Sequence, residues 1–101
     1  KVKVISDKDF EMAVSSNKNV IVQFSADWCG PCKQLTPILE KFAESNDAYS
    51  VFKVDVSESQ NLAKKYFVQS IPKVILFTNG VHTKDAVGFM NETKLSQFIS
   101  D

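Results

Sequence analysis

The sequence predicts an α/β protein in which helices cover both faces of a mixed β-sheet. Short apolar runs alternate along the chain with segments that have the apolar spacing of helices. Residues 19–25 form an almost unbroken apolar run, which is typical of a central strand buried on both faces. Asn79-Gly80 is the strongest hairpin signal in the chain. The first half therefore implies parallel crossovers, and the hairpin adds an antiparallel edge.

The predicted elements follow the order β-α-β-α-β-α-β-β-α. A strand over residues 2–5 precedes a helix that ends near Ser16. Ser6 is a suitable N-cap residue, and Asp9 three positions later predicts an acidic variant of the capping box. The second helix covers residues 29–45, and Pro37 is expected to kink it. Its apolar stripe consists of Leu35, Ile38, Leu39, Phe42 and Ala43.

The second half of the chain contains three more strands and two helices. We expect Ser57 to cap a short helix that runs through Lys65, and Asn91 to cap the last helix. The buried residues of the last helix are predicted to be Leu95, Phe98 and Ile99. The strands are predicted over residues 51–56, 74–78 and 81–87.

The length of the chain indicates one domain over residues 1–101, and its balanced charge indicates no strong electrostatic field. The chain has 101 residues, 44% of them hydrophobic, which is enough for a single core. Twelve basic residues, all lysines, balance twelve acidic ones, so we expect no nucleic-acid partner. The apolar runs are too short for membrane insertion. We expect a soluble monomer, cytosolic by default, although a chain starting at Lys1 leaves a secreted or organellar origin open.

The chemistry of the sequence is concentrated in two cysteines, Cys29 and Cys32. This C-x-x-C spacing at the start of a helix places the sulfurs one turn apart, where unpaired N–H groups and the helix dipole stabilise a thiolate. Cys29 lies at the tip and is expected to be exposed, so it is the predicted nucleophile. Cys32 is expected to be shielded and is the predicted resolving thiol. Gly30 would let a partner's backbone approach closely, and Pro31 would fix the turn.

Half of a zinc site is the main alternative for an isolated C-x-x-C motif. A structural zinc site usually has four ligands, and the sequence contains no second C-x-x-C motif. The single histidine, His82, is expected on the surface of the hairpin without a catalytic role. We therefore predict no metal site, and a pair of cysteines that reacts with itself.

The residues around the pair resemble the active-site signature of thioredoxins. The similarity covers essentially the whole chain and is most specific in Phe24-Ser25-Ala26-Asp27 followed by Trp28-Cys29-Gly30-Pro31-Cys32-Lys33. It implies the thioredoxin fold, with a mixed five-stranded sheet in the order 1-3-2-4-5 and four flanking helices. It also implies reduction of protein disulfides, recharging by a thioredoxin reductase, and no bound cofactor beyond the redox-active Cys29–Cys32 disulfide. The alternative is a thioredoxin-like subunit with a mainly structural or docking role in a larger complex.

The resemblance also implies roles for residues near the pair. Ile71-Pro72 is similar to the family's cis-proline, Val87-Gly88-Phe89 to the segment that completes its substrate groove, and Lys53 to the lysine beside its buried site. We expect an apolar rim around the first cysteine, although two of its members, Val56 and Ile71, are equally compatible with a place in the core. The expected rim consists of Trp28, Val56, Ile71, Pro72 and Phe89.

The sequence departs from the family pattern at Gln23. The family usually has a buried aspartate six residues before the first cysteine, and this chain has Gln23 there. A glutamine cannot accept a proton, and it leaves Lys53 without a charge partner. We expect the chemistry of Cys29 to survive, with a resolving step that is slower or differently controlled.

Overall fold

A computed structural model describes residues 2–101 and contains a five-stranded sheet in the order β1-β3-β2-β4-β5. The strands are β1 (Lys3–Val4), β2 (Asn19–Ser25), β3 (Tyr49–Asp55), β4 (Lys73–Thr78) and β5 (Val81–Val87). The helices are α1 (Asp7–Ser15), α2 (Gly30–Ser45), α3 (Gln60–Lys65) and α4 (Glu92–Ser100). This architecture confirms the α/β class and the strand order that the resemblance implies.

The central strand β2 determines where the reactive end of the molecule lies. It pairs in parallel with β3 and antiparallel with β4. The predicted parallel crossovers are therefore confirmed for β1 to β3, but the direction of β4 was not evident from the sequence. Ser25 at the end of β2 pairs with Asp55, and Phe24 pairs with Lys73 at the start of β4. We call this edge, formed by the ends of β2 and β3 and the start of β4, the reactive edge.

The two faces of the sheet bury separate apolar clusters. One cluster joins Phe24 and other alternate residues of β2 to Phe10 of α1 and Leu62 of α3. The other joins Ile21 to Leu35 of α2 and Leu95 of α4. Side chains alternate between the faces of a strand, so Gln23, two residues after Ile21, faces α2. This alternation positions an amide under the first turns of that helix.

The predicted helix cap is correct for α4 and wrong for α1. The Asn91 side chain accepts a hydrogen bond from the Lys94 N–H (2.8 Å), which confirms the predicted cap of α4. Ser6 is the N-cap of α1, but its side chain makes no capping bond, so the predicted capping box is wrong. The Asp9 N–H is instead bonded to the main-chain carbonyl of Ser6 (3.1 Å), which satisfies that donor without the hydroxyl.

The start of α3 also differs from the prediction. The helix begins at Gln60 with Ser59 as its N-cap residue, so the Ser57 cap is wrong. The Asp55 carboxylate accepts hydrogen bonds from the N–H groups of Ser57 (2.7 Å) and Glu58 (3.3 Å). These bonds form a turn that delays the helix by two residues. Among residues 2–101, no helix is long and apolar enough to span a membrane.

Candidate active site at the amino end of α2

Cys29 and Cys32 form a disulfide at the point where the chain leaves the reactive edge and enters α2. Their Cα atoms are 5.3 Å apart, within the range that a disulfide spans. The Cys29 N–H donates to the Ala26 carbonyl (3.1 Å), which closes the turn between β2 and α2. The exposed Gly30 and Pro31 occupy the two positions between the cysteines. The sequence therefore places the sulfurs together through one helical turn, as the spacing predicts.

The Cys29 sulfur takes the place of an N-cap acceptor. Cys29 is the N-cap residue of α2, and its Sγ accepts a hydrogen bond from the Cys32 N–H (3.2 Å). The unpaired N–H groups and the dipole of a helix start favour negative charge. When the disulfide is open, this geometry therefore stabilises a thiolate on Cys29 more directly than on Cys32, which lies inside the helix.

The exposure of the two cysteines differs from the expectation. Cys29 is 5% exposed and Cys32 is 1% exposed, so the prediction of an exposed Cys29 is wrong for the disulfide form. Both sulfur-bearing residues pack with Ala26, and the half-buried side chains of Val56 and Ile71 pack against them. Exposure therefore does not distinguish the two cysteines, whereas their positions at the start of α2 do.

The predicted rim residues occupy different environments. Val56 and Ile71 adjoin the cysteines, whereas Trp28 is 73% exposed and Phe89 is 42% exposed. Pro72 is buried, and its peptide bond with Ile71 is cis. The Gly88 N–H donates to the Pro72 carbonyl (2.8 Å), and Gly88 has a φ of 102°, which glycine adopts without steric cost. Two rim residues thus touch the reactive pair, and two others present large apolar surfaces to solvent.

A buried hydrogen-bond network joins the Cys32 carbonyl to side chains of β2 and α2. The Gln23 side chain is fully buried, and its Nε2 donates to the Cys32 carbonyl (3.2 Å). The Thr36 hydroxyl lies 3.1 Å from Gln23 Oε1 and 3.0 Å from the Cys32 carbonyl, so it can donate to either. Lys53 is the direct neighbour of Gln23 across β2 and β3. Thr36 was not predicted as a site residue, although its position one turn after Cys32 on α2 could have indicated it.

His82 lies on β5 and is exposed, in agreement with its predicted surface position. Its Nε2 is 2.8 Å from Asp85 Oδ2, and its ring packs against Tyr66 and Phe77. Within residues 2–101, no three His, Cys, Asp or Glu side chains lie close enough together to hold a metal ion. Both cysteine sulfurs are bonded to each other, so the geometry favours redox chemistry over half of a zinc site.

Comparisons with known proteins agree with this geometry. The thioredoxin family model matches residues 1–101. A thioredoxin of Chlamydia trachomatis is 39% identical over 99 residues, which cover 98% of this chain and 96% of that protein. The structure of a mutant thioredoxin from Halobacterium salinarum superimposes with a TM-score of 0.92 at 35% identity, covering 99% of this chain and 89% of that one. A bifunctional thioredoxin reductase/thioredoxin of Mycobacterium leprae is 40% identical over 101 residues, 99% of this chain and 22% of that protein.

The fold and the paired cysteines define a thiol–disulfide oxidoreductase, because the two sulfurs can store and release two electrons as one bond. The family match extends over the full chain, and the structural similarity is equally extensive. The chain belongs to the thioredoxin family.

Proposed function

We propose that this protein reduces disulfides in other proteins, with Cys29 as nucleophile and Cys32 as resolving thiol. The Cys29 thiolate attacks one sulfur of the target disulfide, and the other target sulfur leaves as a thiolate that takes up a proton. Cys32 then loses its proton to solvent and attacks the Cys29 sulfur. The second target sulfur leaves and is protonated, so the target gains two electrons and two protons while the Cys29–Cys32 bond forms.

One observation carries this assignment of roles: Cys29 is the N-cap residue of α2, and its Sγ accepts the Cys32 N–H. A thiolate is the nucleophile in disulfide exchange, and a helix start is where a thiolate is stabilised. The position of Cys32 inside α2, behind the N-cap residue Cys29, supports its role as the thiol that reacts only within the mixed disulfide. Gly30 and Pro31, both exposed, leave the first turn accessible to a target.

We further propose that the target lies in a groove beside the disulfide. The packing of Val56 and Ile71 on the cysteines supports an apolar floor, and the exposed rings of Trp28 and Phe89 support apolar walls. Pro72 and Gly88, linked by a main-chain hydrogen bond, would bound the groove on the side of β4 and β5. Gln23 and Lys53 would not contact the target. Gln23 would act through its hydrogen bond to Cys32, with Lys53 as its neighbour across the strands.

A separate thioredoxin reductase would restore the dithiol. The Mycobacterium leprae relative is a bifunctional thioredoxin reductase/thioredoxin, which supports this partner for the present chain. We propose that the protein works as a monomer and as one domain, with its own cysteine pair as the redox centre and without a bound cofactor.

Reduction of insulin disulfides, with dithiothreitol as electron donor, tests the proposal. The wild-type chain should accelerate insulin precipitation, and Cys29→Ser should abolish both the acceleration and covalent capture of insulin. Cys32→Ser should accumulate a mixed disulfide on Cys29, visible by mass spectrometry, because attack survives and resolution does not. Capture by Cys29→Ser instead would reverse the roles. An inactive wild type that still assembles with other proteins would favour the structural role.

A further inference from the structure

Phe67 occupies a backbone position that suits glycine. The N–H of Phe67 donates to the Lys64 carbonyl (3.2 Å), and the N–H of Val68 donates to the Ala63 carbonyl (2.8 Å). These two bonds are the Schellman arrangement that ends many helices, here α3. The arrangement requires a left-handed residue after the C-cap, and Phe67 has a φ of 54°. A Cβ atom makes this conformation unfavourable, and a bulky side chain makes it rare.

The side chain of Phe67 gains little from the fold in return. Its exposed fraction is 79%, the largest among the exposed large hydrophobic residues of the described chain. Packing inside the chain therefore does not offset the cost of the left-handed backbone. The Schellman hydrogen bonds need a left-handed residue at this position but not an aromatic one, so the presence of phenylalanine points to a function of its ring. An exposed aromatic ring is well suited to contact with another protein, since aromatic residues are enriched at interfaces.

Phe67 is close along the chain to a residue that packs on the reactive disulfide. It lies four positions before Ile71, which packs on Cys29 and Cys32. Four fully extended residues span at most about 14 Å, so the Cα atom of Phe67 lies within that distance of the Cα atom of Ile71. The loop between them is tied down at its start, because Lys73 Nζ donates to the Tyr66 carbonyl (2.9 Å).

A protein bound at the disulfide would cover an area large enough to include Phe67. A standard interface covers about 800 Å² on each partner, which corresponds to a disc of about 16 Å radius. A footprint of that radius centred on Ile71, which packs on Cys29, would therefore reach Phe67. A small-molecule disulfide at Cys29 would not extend that far.

We propose that Phe67 is a specificity-determining contact residue for oxidised protein substrates. The inference rests on the proposed function and extends the substrate surface beyond the groove beside Cys29. Phe67 contributes to binding of the protein that carries the target disulfide and takes no part in the exchange of electrons. Its backbone strain is then a stability cost that the fold retains in favour of substrate binding.

Phe67→Gly separates binding from folding, because it removes the ring and relieves the left-handed strain together. The variant should unfold at a higher urea concentration than wild type. Its KM for insulin should rise by about tenfold, as expected from truncating an aromatic contact residue. Its kcat for insulin and its rate with the small disulfide DTNB should not change. Phe67→Trp, which keeps a large ring, should retain the wild-type KM.

Asn79→Gly is the matched control, since Asn79 is the other non-glycine residue with a left-handed φ (53°) among residues 2–101. It should leave both substrates unaffected. An unchanged insulin KM in Phe67→Gly would overturn the inference, as would a parallel loss with DTNB, which would indicate a disturbed active site. Should Phe67→Gly fold poorly, Phe67→Asn gives the same comparison. A wild type without activity on either disulfide would refute the proposed function instead.

Discussion

Cys32 is supported by an amide and a hydroxyl, neither of which carries charge. Gln23 Nε2 and the Thr36 hydroxyl both lie within hydrogen-bond distance of the Cys32 carbonyl, and the hydroxyl also reaches Gln23 Oε1. Burying an amide with satisfied hydrogen bonds costs much less than burying a carboxylate. The network therefore fixes the first turn of α2 without a charged group, but it contains no side chain that can take a proton from Cys32.

Gln23→Asp should lower stability and accelerate resolution of the mixed disulfide. The shorter, ionisable side chain loses the donor to the Cys32 carbonyl and must be buried, which should cost about 1–3 kcal/mol of unfolding free energy. The carboxylate also introduces a base near Cys32, with Lys53 as its neighbour across the strands. Single-turnover resolution, measured against pH, should be faster than in wild type, most visibly below the ordinary thiol pKa of about 8.5.

Gln23→Asn is the control for that prediction, because asparagine has the length of aspartate without its charge. It should share part of the stability loss and none of the acceleration. Unchanged resolution at every pH in Gln23→Asp would leave Gln23 with a packing role. Equal acceleration by Gln23→Asn would show that shortening the side chain, rather than adding a base, controls the rate.

Thr36→Val should destabilise the protein through Gln23. The substitution keeps the shape of the side chain and removes the hydroxyl that lies 3.1 Å from the buried Gln23 Oε1. A buried acceptor left without its donor costs about 1–3 kcal/mol, which a urea melt of the disulfide form would detect. Thr36→Ser retains the hydroxyl and should recover most of the loss. A Thr36→Val protein as stable as wild type would mean that the hydroxyl donates to the Cys32 carbonyl and that Gln23 Oε1 tolerates its absence.

At the scale of elements, α1 and α4 form a natural comparison of helix caps. Asn91 accepts the Lys94 N–H at the start of α4, whereas the Ser6 side chain makes no capping bond at the start of α1. Asn91→Ala should therefore cost about 1 kcal/mol of unfolding free energy. Ser6→Ala should cost much less, measured in the same urea melts. Equal losses would indicate that Ser6 caps α1 in solution.

Elements with one dominant local signal were predicted well. The predicted bounds of β2 agree with the structure, and so do the strand ends on either side of the Asn79-Gly80 turn. The predicted start of α2 differs from the observed start by one residue. The Ser57 cap was predicted wrongly because Asp55 holds the following residues in a turn. Its carboxylate accepts the Ser57 N–H, and its main-chain carbonyl accepts the Ser59 N–H (2.8 Å) that a Ser57 cap would have bound. The direction of β4 could not be predicted either, since it depends on how the chain packs after α3 rather than on residues within the strand.

Prediction of the site was limited by contacts between distant segments. The spacing of Cys29 and Cys32 is local, so their disulfide followed from the sequence. The low exposure of Cys29 depends on Val56 and Ile71, which reach it from two other segments of the chain. The bond from Thr36 to Gln23 joins a helix to a strand, and sequence spacing alone does not indicate such a pair. Local chemistry was thus predictable, and its burial was not.

At the scale of the whole molecule, folding and disulfide formation are linked by a thermodynamic cycle. The disulfide closes a loop between residues only three positions apart. In the chain-entropy account, a cross-link lowers the entropy of the unfolded chain, and a loop this short contributes about 2 kcal/mol. Any stability that the disulfide adds to the fold must appear as an equal preference of the folded chain for the disulfide over the dithiol.

Reduction of Cys29–Cys32 should therefore lower the free energy of unfolding by about 2 kcal/mol when it is measured at a pH low enough to keep both thiols protonated. By the cycle, the reduction potential of the folded chain should be about 40 mV more negative than that of the urea-unfolded chain. Urea melts with and without a phosphine reductant give the first quantity, and equilibration with glutathione in both states gives the second. The Cys29→Ser, Cys32→Ser double variant is the control and should not respond to the reductant. A reduced form that is as stable as the oxidised form, with equal potentials in both states, would mean that contacts of the folded dithiol compensate fully for the lost cross-link.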